Sequence, residues 1–181
     1  MKVFVFLAAG FEELEAVAII DVLRRADIDV EIVSISDEKL IAGAHGIAVQ
    51  ADTLFENCYF DNGEMLILPG GMPGAKNLET YQPLINLIKE YHKNGKYIAA
   101  ICAAPMIFGN LGLLQGKEAI AYPSFEKYLK GAVLSSQKVV RSGKIITGKG
   151  PGVAIEFGLK IVETLKSKEL ANELAEGMIH R

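Results

Sequence analysis

The sequence predicts an α/β protein with a mostly parallel sheet and helices on both faces, and three observations carry that reading. Short apolar runs recur at residues 3–7, 30–33, 65–68 and 97–101, without the apolar–polar alternation of a sheet that is wet on one side. Helical patterns fill the stretches between them, and that alternation is how parallel strands are connected. The length of 181 residues, half of them hydrophobic, suits one domain with a sizeable core over residues 1–181.

Taken in order, residues 3–7 read as a buried first strand. The N-terminus is basic and then apolar, but Glu12, Glu13 and Glu15 follow at once with no cleavage region, so a strand explains it better than a secretory leader. Residues 12–26 read as a helix that buries Leu14, Val17, Ile20 and Leu23, with the macrodipole favouring acidic residues in its first turn. The turn residues Gly43-Ala44-His45-Gly46 separate two β-like runs and predict a hairpin. Residues 83–94 give the clearest helix. Leu84, Leu87, Ile88 and Tyr91 follow the i, i+3, i+4, i+7 stripe, Pro83 suits the first turn and Gly95 the stop. A helix over 103–111 follows the strand at 97–101. A second hairpin is expected at Arg141-Ser142-Gly143-Lys144, then a helix over 151–166 with Ala154, Phe157, Ile161 and Leu165 at helical spacing. Leu170 and Leu174 predict a terminal helix over 170–175. No repeat, low-complexity segment or linker interrupts the pattern.

Composition excludes several classes. A formal net charge of −3 offers no broad basic footprint for nucleic acid, and no lysine-arginine cluster suggests a membrane surface. The longest apolar stretch, residues 98–109, is broken by Pro105 and is shorter than the roughly 18 to 20 residues of a bilayer span. Two cysteines in dissimilar settings, Cys58 and Cys102, point away from a disulfide framework and toward a reducing, cytoplasmic compartment. Cys58, beside Tyr59 and Phe60, reads as a packing residue. His45, His92 and His180 fall on a turn, a helix's polar face and the C-terminus, so no metal-ligand spacing links them.

In an open parallel sheet the strand-to-helix loops share the carboxyl edge, where such folds bind ligands. Three distinctive segments fall there: Ala8-Ala9-Gly10 leading to Glu12 and Glu15, Pro69-Gly70-Gly71-Met72-Pro73-Gly74, and Cys102 between the fourth strand and its helix. A cysteine at such a turn gains thiolate character from the unsatisfied amides of the following helix. An inert core cysteine fits the local sequence equally well. Glu15, one turn into a largely apolar helix, is expected to be forced inward, where desolvation raises its pKa and keeps it protonated. A neutral Glu15 would donate a hydrogen bond to a thiolate, whereas an ionised one would repel it. A solvated acidic first turn is the plainer reading of the three glutamates and suits at least one of them. Gly70 and Gly71 either bring backbone N–H groups to a small ligand or oxyanion, or form a plain tight turn. Neither they nor Gly148-Lys149-Gly150-Pro151-Gly152 match a nucleotide-binding pattern.

Together, Gly10-Phe11-Glu12-Glu13-Leu14-Glu15, Leu68-Pro69-Gly70-Gly71-Met72-Pro73-Gly74, Ala99-Ala100-Ile101-Cys102-Ala103-Ala104-Pro105 and Gly150-Pro151-Gly152 closely resemble the ThiJ/PfpI superfamily, in its branch of the Parkinson-associated protein deglycase. The resemblance runs from about Lys2 to near Leu174. It implies a flavodoxin-like sandwich, a homodimer and an oxidation-sensitive cysteine. By resemblance, Cys102 is the nucleophile and Glu15 its protonated partner and acid/base. Gly70, Gly71 and the Ala103 amide are the oxyanion-binding backbone, and Pro151 is part of the pocket wall. Some relatives carry histidine where Tyr122 precedes Pro123, and arginine near His45; Tyr122 donates a hydrogen bond but is a poor base at neutral pH. His45 is a candidate contribution to the pocket of a partner subunit. The protease-like branch has histidine directly after the cysteine, and Ala103 in that place argues against a peptidase.

The resemblance thus implies a cofactor-free glyoxalase or deglycase, in which Cys102 attacks methylglyoxal or an early glyoxal adduct and a hydroxy acid such as lactate is released. Its substrate would be a small reactive aldehyde or a glycated molecule. The alternative is a redox sensor or holdase chaperone in which Cys102 oxidises to sulfinic acid beside Glu15. A role in thiazole biosynthesis has no recognisable phosphate site behind it.

Overall fold

Each of the four apolar runs forms a strand of one sheet. In this computed structural model residues 1–180 are described; Arg181, the last residue of the domain expected over 1–181, lies outside them. The first half contains β1 (Lys2–Leu7), α1 (Glu13–Arg25), β2 (Asp29–Ser34), the short strands β3 (Leu40–Ala42), β4 (Ala48–Gln50) and β5 (Thr53–Leu54), β6 (Gly63–Leu68), α2 (Gly74–Thr80) and α3 (Gln82–Lys93). The second half contains β7 (Tyr97–Ile101), α4 (Pro105–Asn110), β8 (Glu118–Ala119), β9 (Val133–Leu134), β10 (Val139–Ser142), β11 (Ile145–Gly148), α5 (Ala154–Leu165) and α6 (Lys168–Gly177).

Seven strands pair in the order β10-β11-β7-β6-β1-β2-β5, and every pairing is parallel except the β10–β11 hairpin at one edge. The expected turns at 43–46 and 141–144 do join antiparallel strands, β3 to β4 and β10 to β11. Alternating side chains serve two cores. Val3, Val5, Leu7, Ile67 and Ile101 face α1, α5 and α6, while Phe4, Phe6, Leu66, Leu68 and Ala100 face α2, α3 and α4. Burial on both faces explains the unalternating apolar runs. The chain order reverses between β1 and β6, and at such a switch the loops after the two strands diverge and leave a crevice at the carboxyl edge. Among the described residues no helix is long and apolar enough to cross a membrane.

The expected burial of α1 is corrected. Leu14 is 67% and Val17 49% exposed, whereas Glu12, Glu13 and Glu15 are all buried. Steps of three residues at ~100° each turn by about 300°, so a series 14, 17, 20, 23 drifts across the helix and Leu14 ends opposite Leu23. The true stripe is Ala16, Ile19, Ile20 and Leu23, with Glu15 on the same side. None of the three glutamates is therefore a solvated first-turn residue. Smaller differences follow from local chemistry. Helix α4 starts at Pro105 rather than 103, because Cys102 adopts a left-handed backbone and Ala103 and Ala104 complete the turn. A 3-10 turn over Pro151–Val153 precedes α5. Helix α2 was not anticipated, since its seven residues are too few to show a period.

Candidate active site

Cys102 follows the last residue of β7 at φ 63°, in the left-handed region that a β-carbon disfavours by about 1 to 2 kcal/mol. Neighbouring backbone holds it there: its N–H donates to the Gly148 carbonyl at 2.9 Å, and its carbonyl accepts from the Tyr122 N–H at 2.8 Å. The strain turns the sulfur out of strand register, toward the loops after β1 and β6. The amides of Gly71 and Ala103 lie near enough to favour its ionised form.

Glu15 meets the sulfur from α1 and is completely buried. Its Oε2 accepts from the Gly70 N–H at 2.7 Å. Its Oε1 has no partner of full hydrogen-bond geometry, while the Cys102 thiol lies close enough to share a weaker bond with the carboxyl. Burial raises the Glu15 pKa to about 7, against the lowering effect of the Gly70 amide and the thiol. Burial, then the charge and hydrogen bond of Glu15, push Cys102 up to about 12, against the amides of Gly71 and Ala103. Desolvation of a residue only 9% exposed thus opposes the thiolate that the two amides favour, the reverse of the direction expected for Cys102. The carboxyl and the thiol are coupled and titrate as a pair.

Gly70 fills a different place from the one expected. Its amide is committed to Glu15, so only the Gly71 and Ala103 amides address the sulfur. A β-carbon at 70 would stand 2.6 Å from Cys102 Cβ and 2.9 Å from Glu15 Oε2, so glycine is what lets the two meet. Gly71, at φ 86°, has no room for a β-carbon against the Glu12 amide, and Glu12 N–H in turn donates to the Gly70 carbonyl at 3.0 Å. Tyr122 and Pro151 border the same turn. The Tyr122 ring lies against Gly150, and Pro151 is half-buried on the segment that follows Gly148.

His45 belongs to a neighbouring cluster. Its backbone N–H donates to Glu13 Oε1 at 2.6 Å, Ile47 N–H donates to the same oxygen at 3.3 Å, and its Nδ1 lies 2.8 Å from Glu13 Oε2. Burial raises the Glu13 carboxyl, but these His45 and Ile47 bonds outweigh it and hold the pKa at about 2; the bond to Glu13 raises His45 in return. Sequence reasoning missed Glu13, which clamps the β3–β4 hairpin onto α1, and Glu12, whose Oε2 caps the helix through the Leu14 N–H at 2.9 Å. The available signal was Gly43, where a β-carbon would collide with the Glu13 side chain. Ligand atoms of Glu12, Glu13 and His45 also lie within 4.8 Å of one another, a grouping that spacing along the chain does not reveal. Both Glu13 oxygens are already engaged by the hairpin, which makes the cluster an anchor. Cys58 is half-buried, and burial first, then the charge of Glu31, pushes its thiol up to about 12, in keeping with packing.

Known proteins share this arrangement of chain. DJ-1 homolog B of Arabidopsis thaliana is 40% identical over 99% of the chain, which spans only 42% of that plant protein's length. The glutathione-independent glyoxalase DJR-1.2 of Caenorhabditis elegans is 34% identical over 90% of the chain and 87% of its own length. The solved structure of oxidized DJ-1 from Toxoplasma gondii superposes with a TM-score of 0.95 at 39% identity, covering 99% of this chain and 98% of that one. The sheet is accordingly the flavodoxin-like one that the resemblance implied. The model of the DJ-1/PfpI family matches residues 1–164, and on that match and these identities the chain belongs to the DJ-1/PfpI family.

Proposed function

We propose that the chain is a cysteine-dependent, cofactor-free glyoxalase or deglycase acting on methylglyoxal or early glyoxal adducts. The observation that carries the reading is a buried carboxyl with a pKa of about 7 set against a cysteine on a strained turn. A base poised near neutral pH takes a thiol proton as the sulfur attacks, so no resting thiolate is needed. Sulfur bonds to the aldehyde carbon, the carbonyl electron pair moves to oxygen, and the thiol proton passes to Glu15 and on to that oxygen. Glu15 then removes the proton from the former aldehyde carbon to give an enediolate, the proton on the first oxygen passes to the neighbouring oxygen, and the proton held by Glu15 returns at the neighbouring carbon. This oxidises the first carbon to a thioester and reduces the second to an alcohol, with no external electron acceptor. Water cleaves the thioester, the sulfur recovers its proton, and lactate leaves. The amides of Gly71 and Ala103, which favour negative charge at the sulfur, would also serve the developing oxyanion.

The similarity to the Caenorhabditis elegans glyoxalase supports this reading. Lactate formation from methylglyoxal without added cofactor tests it. Turnover should vanish in Cys102→Ser and fall in Glu15→Gln; its absence from the wild-type protein refutes the enzyme. The similarity to a structure of an oxidized relative supports a second reading, a redox sensor or chaperone in which protonated Glu15 bonds Cys102 sulfinate. Client protection that depends on Cys102 oxidation, with no lactate formed, would favour it.

We also propose that a second copy of the chain covers the exposed face of α1. Leu14, Val17 and Ile47, 67%, 49% and 60% exposed, line a groove of about 660 Å³. Three large apolar side chains gathered beside one groove suit burial against a second molecule. His45 sits on its rim, where it would face the partner subunit.

A further inference from the structure

The geometry points to Tyr122 as a specificity-determining residue that selects glyoxals carrying a flat apolar substituent; this rests on the glyoxalase reading above. With Cys102 only 9% exposed, the reacting carbonyl alone reaches the sulfur, and the rest of any substrate must lie outward on the rim. The polar groups of the site point the other way. Glu15 and the Gly70 amide bond each other, and the Gly71 and Ala103 amides face the sulfur. Of the side chains that flank these groups, Met72 offers apolar surface alone and Tyr122 a ring with a hydroxyl at its tip. Tyr122 is 46% exposed, and Met72, next to Gly71, is 48% exposed.

Tyr122 is fixed to the reacting residue as well as near it. Its backbone N–H holds the Cys102 carbonyl at 2.8 Å, and Gly148, which takes the Cys102 N–H, lies two positions before Gly150. The ring rests on Gly150, where a β-carbon would stand 3.2 Å from ring Cδ2. With its backbone tied to Cys102 and one edge of its ring packed on Gly150, the side chain is partly pre-organised, so stacking a flat substituent on it costs less ordering entropy. Methylglyoxal has only a methyl group to place there, whereas an aryl glyoxal has a whole ring.

The test compares kcat/KM for phenylglyoxal and methylglyoxal in wild type, Tyr122→Phe, Tyr122→Leu and Tyr122→Ala. The ratio of phenylglyoxal to methylglyoxal should drop roughly five- to tenfold in the Leu and Ala variants, mainly through KM, and persist in Tyr122→Phe, where the ring remains. Leucine keeps bulk beside Pro123, so a folding defect in the alanine variant does not decide the result. An unchanged ratio in both Leu and Ala overturns the inference, as does an equal drop in Tyr122→Phe, which would assign selection to the hydroxyl. Turnover of neither glyoxal by the wild-type protein, or equal turnover by Cys102→Ser, instead overturns the glyoxalase reading and this inference with it.

Discussion

Glu15→Gln should change how stability responds to pH. In the folded protein burial raises the Glu15 pKa from 4.5 to about 7, while in the unfolded chain the carboxyl ionises at its ordinary value. Below about pH 4.5 both states carry the proton, and the carboxyl's full contribution to stability is present. Between about pH 4.5 and about pH 7 only the unfolded state has released it, so stability falls as pH rises, by up to about 1.4 kcal/mol per pH unit. Above about pH 7 both states are ionised and the loss levels off at about 3.5 kcal/mol, the pKa difference between 4.5 and about 7 at about 1.4 kcal/mol per pH unit. Cys102, held up at about 12, stays a neutral thiol throughout this window and adds no slope. Glutamine keeps an acceptor for the Gly70 N–H but cannot ionise. Urea unfolding of both proteins at intervals from about pH 4.5 to about pH 8 measures the effect as a difference, in which Glu13 and the surface carboxylates cancel. The variant should gain on the wild type by about 3.5 kcal/mol from the acid end to the alkaline end. Parallel curves would mean that Glu15 ionises at its ordinary pKa, and would remove its claim to be a base poised near neutrality.

Catalysis should carry the same signature. The kcat/KM for methylglyoxal is expected to rise with pH through a limb centred near 7, where Glu15 becomes the base that takes the thiol proton; Glu15→Gln should flatten the limb and cost on the order of 100-fold. Gly70→Ala places a β-carbon 2.6 Å from Cys102 Cβ, so it should destabilise by about 1 to 3 kcal/mol and reduce lactate formation at least tenfold, read by denaturant midpoint and turnover. Leu14→Lys combined with Val17→Lys puts charge on the exposed face of α1. Light scattering after gel filtration should show a dimer for wild type and a monomer for the double variant, with circular dichroism unchanged.

The sheet was legible because its strands are buried on both faces and therefore write themselves as uninterrupted apolar runs, as residues 65–68 and 97–101 do. Helix α3 was legible for the complementary reason: Leu84, Ile88 and Tyr91 all point to one core, although the buried position beside Leu84 is Ile85, and Leu87 is only half-buried. Helix α1 misled because its buried side contains three carboxyl groups and its exposed side contains Leu14 and Val17. Each carboxyl is inward for a partner that lies elsewhere in the chain or at the helix end: Gly70 for Glu15, the hairpin at His45 for Glu13, the helix amides for Glu12. No periodicity argument sees such partners, since a hydrophobicity pattern ranks glutamate as outward whatever awaits it inside.

The same blindness separates what was right about the site from what was not. That Glu15 meets Cys102 followed from the strand-to-helix loops sharing an edge, which topology guarantees. Whether the sulfur rests as thiol or thiolate depends on the balance between amide donors and desolvation, and that balance is set by how tightly Gly70 and Gly71 let the loops close. Close packing at the two glycines brings the carboxyl within reach of the thiol, and the same packing strips both of water. The proximity that makes a proton exchange possible is thus also what raises both pKa values. A looser turn would give a more acidic thiol with no base beside it, and the tight one gives a protonated thiol whose base is ready when an aldehyde arrives.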